Sequence, residues 1–299
     1  MGLTGSGGQG DKDQDIAGYA NKEESEAAEG AITGRGPGVG GEVAAACLNE
    51  REVELMGALL GRLQVLVSEA LRRDVHLMVD AEHTYFQPAI EHVTLKLMRE
   101  HNRGGVARVL NTYQAYLVDS RARLLRDLER CRREGWVLGA KLVRGAYLQL
   151  ERRHAEGLGL PSPCWPSLEA THANFDACAA TLIDAVAARQ AEVLLGSHNQ
   201  ASVELAVARM AAVGLPPSAS PGVMFGQLLG MSDHLTLALG GGGYRAYKYV
   251  PYGRVGQVMP YLLRRAAENQ DIMNGSKQDL VMLGHELRRR AGKLLLLRG

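Results

Sequence analysis

Between His76 and Val250 the chain repeats one alternation: a short apolar run, a polar or glycine-bearing turn, then a longer stretch at helical spacing. The runs are His76–Asp80, Ala107–Thr112, one beginning at Trp136 that carries Lys141, Arg144 and Tyr147 to its C-terminal end, Glu192–Gly196, Gly222–Phe225 and Arg245–Val250. Strands that alternate with helices in this way can hydrogen-bond only as a mainly parallel sheet covered by helices. Polar side chains follow many successive strands, whereas an open doubly wound sheet concentrates its site at one switch point. No Gly-x-Gly-x-x-Gly follows a strand, which disfavours the dinucleotide fold of that type. The expected fold is therefore an α/β, (β/α)8 TIM-like barrel. Its first strand is incomplete, hinted at only by Leu3-Thr4.

Helices fill the intervals. Val53, Leu55, Met56, Leu59, Leu60, Leu63, Leu66 and Leu71 recur at helical spacing up to about Arg73. Pro88 opens a helix at a first-turn position, running to about His101. Further helices are expected over Asp119–Glu134, Leu168–Arg189, Ala201–Val213 and Val255–Asn269, with a basic tail helix from about Gln278 to Lys293. Pro161, Pro163 and Pro166 predict a non-helical connection over 151–167. Gly240 to Gly243 punctuate the chain before the last strand.

Residues 1–45 are rich in Gly, Glu and Asp and read as a disordered or linker segment, leaving 46–299 as the folded domain. Asp11, Asp13 and Asp15 alternate like the start of a calcium loop. Ile16 replaces its glycine and Lys22 its glutamate, so a solvated acidic linker is the expectation and no metal site. The chain has 34 Lys plus Arg against 33 Asp plus Glu, so bulk charge favours no nucleic acid. Cys47, Cys131, Cys164 and Cys178 lie far apart and predict free thiols. No apolar run reaches the roughly 20 residues a membrane span needs, and no targeting peptide is visible.

Chemistry-bearing groups stand at strand ends. Asp80 closes one strand, where it could cap a turn or pair with a lysine. Lys141 and Arg144 bring positive charge to the end of another, where Gly145 lets the backbone turn. Gln114, Ser197, His198 and Asn199 suit hydrogen bonding to a polar ligand. Tyr261, Arg264, Arg265 and Glu268 stand at i, i+3, i+4 and i+7, on one helical face. Two arginines there can grip a small carboxylate in two-pronged fashion, or simply form a solvated face with an internal ion pair.

Lys141-Leu-Val-Arg-Gly-Ala-Tyr147, with Asp80-Ala-Glu82, Ser197-His-Asn199 and Tyr261-Leu-Leu-Arg-Arg265, resembles the proline dehydrogenase family of eukaryotic mitochondrial type, from about residue 49 to 292. The resemblance implies an FAD-dependent enzyme that oxidises L-proline to 1-pyrroline-5-carboxylate, the first step of proline catabolism. The hydride passes from the ring carbon next to nitrogen to flavin N5, and electrons then pass to a quinone at the inner mitochondrial membrane, on its matrix side. It implies active-site roles for Asp80 and Lys141. FAD contacts fall on Gln114, Lys141, Val143, Arg144, Gly145, Ala146, Ser197, His198, Asn199, Arg265 and Glu268. Substrate contacts fall on Tyr147, Leu228, Tyr249, Tyr261, Arg264 and Arg265, the arginines taking the carboxylate from a C-terminal helix that the resemblance implies caps the barrel mouth.

Many bacterial relatives carry arginine where this chain has Lys141. The aspartate matching Asp80 usually partners a lysine on the first strand, and Gly2 precedes Leu3-Thr4 here. In the branch that oxidises hydroxyproline the residue matching Tyr249 is serine, so Tyr249 points to proline. The alternatives are a hydroxyproline dehydrogenase and a truncated, non-catalytic barrel. The basic tail (Arg288, Arg289, Arg290 and Lys293, then four leucines) is either a peripheral membrane contact or a frayed exposed helix.

Overall fold

The computed structural model describes residues 48–268 and positions 284, 287, 288 and 290, with the side chains of 264–268 outside that description. The expected linker, the Asp11–Asp15 loop, Leu3-Thr4 and most of the tail lie outside the described residues; of that tail, Gly284, Leu287, Arg288 and Arg290 are helical. The chain groups into two compact units. Of the described residues, Leu48–Gly61 and Gly253–Ala266 belong to one, and Arg62–Tyr252 form the body of the other.

The elements in order are α1 (Glu50–Arg72), β1 (Leu77–Val79), α2 (Gln87–His101), β2 (Val109–Gln114), α3 (Ser120–Glu134), β3 (Leu138–Val143), α4 (Leu148–Gly157), α5 (Leu168–Ala187), β4 (Ala191–Gly196), α6 (Gln200–Ala212), β5 (Val223–Leu228), α7 (Asp233–Gly241), β6 (Arg245–Tyr249) and α8 (Val255–Glu268). Each strand pairs parallel with the next, in the simple order β1-β2-β3-β4-β5-β6. Sequential order with no reversal is barrel connectivity, so the doubly wound alternative is excluded.

Every residue of β2 is buried, as expected where helices cover one face and neighbouring strands the other. On the outer face Val109, Tyr113, Leu138, Ala140, Leu142, Val193, Leu195 and Phe225 pack with Leu124, Phe175, Leu182 and Ile183 from α3 and α5. On the inner face Leu110, Leu194 and Met224 meet, with Met78 against them. Side chains from β1 and β5 can join one cluster only if the sheet is strongly curled. The closed eight-stranded barrel expected from the sequence is not what the described residues form: they carry six strands, and β1 and β6 remain its two edges.

Local signals account for the element ends. Pro88 sits at the start of α2, Ser167 Oγ caps α5 by accepting from Ala170 N at 3.1 Å, and Gly135 ends α3 at φ 69°. Two helices depart from expectation. α4 occupies 148–157, overlapping the first part of the stretch 151–167 expected to be a non-helical connection, because the prolines begin only at Pro161, after its end. α7 runs into Gly240 and Gly241, where glycine spacing had suggested a break. Cys131, Cys164 and Cys178 are free, as expected.

The floor of the concave face is ionic. Glu192, only 1% exposed, accepts from Arg245 Nη1 at 2.8 Å and lies 3.3 Å from His76 Nε2, joining β4, β6 and the residue before β1. Burial alone would raise its carboxyl pKa, but the His76 and Arg245 contacts outweigh that and hold it below the usual range. A depressed carboxylate stabilises the fold above its unfolded pKa, and that contribution disappears as pH falls through the folded value. Glu192→Gln keeps the shape but strands the Arg245 charge. It is expected to cost about 2 kcal/mol in urea denaturation at neutral pH, and progressively less in acid.

Candidate active site

All strand-end candidates within the larger unit lie at the carboxyl edge of the sheet. Asp80 follows β1, Gln114 ends β2, Val143 ends β3, Ser197 follows β4, Leu228 ends β5 and Tyr249 ends β6. Parallel strands fed by crossovers gather such residues on one rim, the edge that carries ligands in α/β folds.

Lys141 points to the concave face in register with Thr112 and Leu194. Its ammonium is ion-paired with Asp80, 61 residues earlier in the chain. Lysine is mostly covered, at 18% exposed, while the aspartate is open to solvent at 65%. Thus the two residues expected to be catalytic meet, and Asp80 has a lysine partner on β3.

Arg144, the first residue past β3, is the most elaborately held cation. Its Nε donates to His172 Nδ1 at 2.7 Å, Nη1 to Ser197 Oγ at 2.7 Å and Nη2 to Ser202 Oγ at 2.8 Å. The guanidinium also lies 4.3 Å from the centre of the Phe175 ring. Burial lowers its pKa, with Asp176 opposing through space. Its hydrogen-bond partners are all neutral acceptors, so none of them cancels its charge. Three of its five N–H groups are taken this way, leaving two for a ligand. His172 must present a lone pair to Arg144, and burial followed by the arginine's charge keeps its pKa low.

Ser197 thereby ties the β4 end to Arg144. Asn199 is used structurally: its side-chain oxygen caps α6 by accepting from Ser202 N at 3.0 Å. His198 accepts from Leu228 N at 3.0 Å. Burial first, then Lys248 and Arg144, lower its pKa, consistent with a neutral acceptor and not a proton shuttle. Gln114 Nε2 donates to Glu82 O at 2.9 Å, fastening the turn after β1.

Gly145 takes φ +129°, and a Cβ there would fall 1.5 Å from Tyr116 Cδ1. Tyr116 N donates to Arg144 O at 2.7 Å and Ala115 N to Val143 O at 2.8 Å, which prolongs β2–β3 pairing into this turn. Ala146 and Tyr147 follow, half-buried, and the Tyr147 ring sits 4.3 Å from that of His83. Gly196 and Gly226 are register partners on the concave face, two residues beyond Leu194 and Met224. Neither carries a side chain of its own, and the Val143 and Leu194 side chains flank them, each 3.1 Å from where a Cβ would sit. Leu228 and Tyr249 are register partners at the next level, side by side.

Tyr261 is half-buried on α8, in the smaller unit, and Arg264, Arg265 and Glu268 continue its face at helical spacing; the side chains of these last three lie outside the described residues. Sequence reasoning missed His172 and Ser202, which hold Arg144, and Glu151, which is taken up below. None carries a motif signal, because each owes its role to a partner more than 25 residues away.

A curled parallel sheet in sequential order, with cations and small polar groups on its carboxyl rim, defines an α/β-barrel-type enzyme scaffold. The chain belongs to the proline dehydrogenase family, whose profile matches residues 8–278. It is 46% identical over 242 residues to human "Proline dehydrogenase 1, mitochondrial", covering 81% of this chain and 40% of the relative. It is 42% identical over 255 residues to bovine "Hydroxyproline dehydrogenase", covering 84% and 55%. Among solved structures, proline utilization A from Bdellovibrio bacteriovorus, inactivated by N-propargylglycine, is similar with a TM-score of 0.65 at 25% identity, over 71% of this chain and 22% of that one. The chain therefore spans about half or less of the proteins it matches.

Proposed function

We propose that this chain carries the catalytic barrel portion of an FAD-dependent proline dehydrogenase that oxidises L-proline to 1-pyrroline-5-carboxylate. The observation that carries the reading is Arg144, a half-buried guanidinium at the sheet's carboxyl rim whose hydrogen-bond partners are all neutral. The residues present suit a flavin. Gly196 and Gly226 keep Cβ atoms off the sheet between Val143 and Leu194, the spare Arg144 donors suit an anionic group, and Gln114, Ser197 and the turn Val143–Ala146 line the same rim. When bound, the flavin would supply the two-electron acceptor that no side chain provides.

The chain's own residues position and neutralise. Lys141, held by Asp80, keeps positive charge beside the ring system. In this reading Leu228, Tyr249 and Tyr147 are assigned to the substrate ring; the roles of Tyr261 at that ring, of Arg264 and Arg265 at its carboxylate, and of Arg265 and Glu268 at the cofactor rest on the sequence resemblance alone. Proline loses two electrons and two protons at its ring C–N bond, and the amine proton leaves to solvent. Electrons pass onward to a quinone at the matrix side of the inner mitochondrial membrane; the relatives named mitochondrial support the compartment.

The relatives include hydroxyproline dehydrogenases, so hydroxyproline is the second reading, and Tyr249 in place of serine argues for proline. The test is turnover with FAD and an artificial electron acceptor, trapping the cyclic imine product. Imine from proline at a kcat/KM at least several-fold above that for hydroxyproline is expected. Imine from neither substrate would overturn the proposal in favour of a non-catalytic barrel.

A further inference from the structure

The turn between β1 and α2 is tied to α4 through one buried carboxylate. Glu151 lies in the first turn of α4 and is only 1% exposed. It accepts from the Thr84 backbone N–H at 2.7 Å and from the Thr84 hydroxyl at 2.6 Å, with His83 Nδ1 at 3.8 Å. Burial works to raise its pKa, yet the contacts from His83 and Thr84 prevail and its carboxyl sits below the usual range. Glu151 N also donates to Tyr147 O at 2.9 Å. Above the carboxylate the rings continue the link: His83 meets Tyr147 at 4.3 Å and stacks on Tyr85 at 5.2 Å, and Tyr85 meets His154 at 4.8 Å.

A carboxylate taken out of water costs several kcal/mol unless its contacts repay that cost. Here the contacts reach across 67 residues to a turn that begins at the Lys141 partner, Asp80. The chain Glu151–Thr84–His83–Tyr147 closes on itself, because Tyr147 also starts α4. We infer that Glu151 is a positioning residue: it latches the 81–86 turn to α4 and so fixes Tyr147, and through the turn Asp80, at the rim of the sheet. The inference rests on the proposed proline oxidation, in which Tyr147 borders the substrate.

The experiment compares Glu151→Gln, Thr84→Val and Thr84→Ser with the parent chain, each loaded with FAD. Proline KM and kcat, flavin content, melting temperature and backbone amide exchange over 81–86 are read for each. Glu151→Gln is expected to raise KM for proline roughly 10-fold while kcat changes less than about 3-fold, with parental flavin content and faster exchange over 81–86. Thr84→Val, which loses one of the two Thr84 bonds, moves KM the same way by less, and Thr84→Ser restores it. The inference is overturned if the folded Glu151→Gln and Thr84→Val proteins keep the parental KM, or if only melting temperature falls. Should Glu151→Gln not fold, Thr84→Val and Thr84→Ser decide alone. A parent chain that binds flavin but does not oxidise proline removes the functional reading itself, and shows it before any variant is compared.

Discussion

Replacing Gly145 by alanine is expected to lower the stability of the folded chain by about 4 kcal/mol, the sum of two penalties of roughly 1–3 kcal/mol each. The first is backbone strain, since φ +129° lies where side chains other than glycine's are rarely accommodated. The second is steric. The new methyl would sit 1.5 and 1.7 Å from two carbons of the Tyr116 ring. That ring is 3% exposed and clusters with Leu117, Cys164 and Leu148, so it has no free direction to move. For a chain of this size the loss corresponds to a melting temperature roughly 10 °C lower. A Tyr116→Ala background separates the penalties: there, alanine at 145 should cost only the backbone share. If Gly145→Ala melts within a degree of the parent, the geometry assigned to this turn is wrong.

Arg144→Met is expected to abolish flavin retention, with a loss of affinity of at least about 100-fold, equivalent to roughly 2.7 kcal/mol. Methionine fills much of the same volume over Phe175 but donates no hydrogen bond, so Ser197, Ser202 and His172 lose their common partner. Two effects coincide: the cation that would face an anionic ligand disappears, and the β4 end is released from β3. Arg144→Lys tells them apart, because it keeps the charge and loses the planar fork. An intermediate flavin affinity in the lysine variant would assign part of the effect to charge. Flavin absorbance after gel filtration, and melting with and without FAD, read the result without reference to turnover. Methionine variants that retain flavin like the parent would exclude Arg144 from the cofactor site.

Much of this site was legible because it is local. Lys141, Arg144, Gly145 and Tyr147 stand within one strand and its turn, and apolar runs ending in polar residues predicted a rim of strand ends that the sheet does form. What stayed hidden depends on contacts between distant segments. Glu151 lies among charged neighbours in Leu-Gln-Leu-Glu-Arg-Arg, where a glutamate reads as solvated; only folding brings Thr84 onto it. Asn102, fully buried, donates to Val109 O and Val137 O and accepts from Arg108 N and Val109 N, joining the end of α2 to β2 and β3. Its sequence neighbours give no sign of that.

The Asp80–Lys141 pair combines both cases: each residue could be singled out in the sequence, but their partnership could not. The partner usual in the family, a lysine on the first strand, had pointed elsewhere. The helix α4 was obscured for another reason. Three prolines made the following connection conspicuous and drew its start to 151, whereas the helix runs to Gly157.

The central claim is that proline reduces a flavin held on the carboxyl rim of this sheet. The most direct measurement is the visible spectrum of the FAD-loaded chain, mixed anaerobically with proline and, separately, with hydroxyproline. Loss of the oxidised flavin absorbance with proline, and a much slower loss with hydroxyproline, is the predicted result. Bound flavin whose spectrum stays unchanged in saturating proline would contradict it.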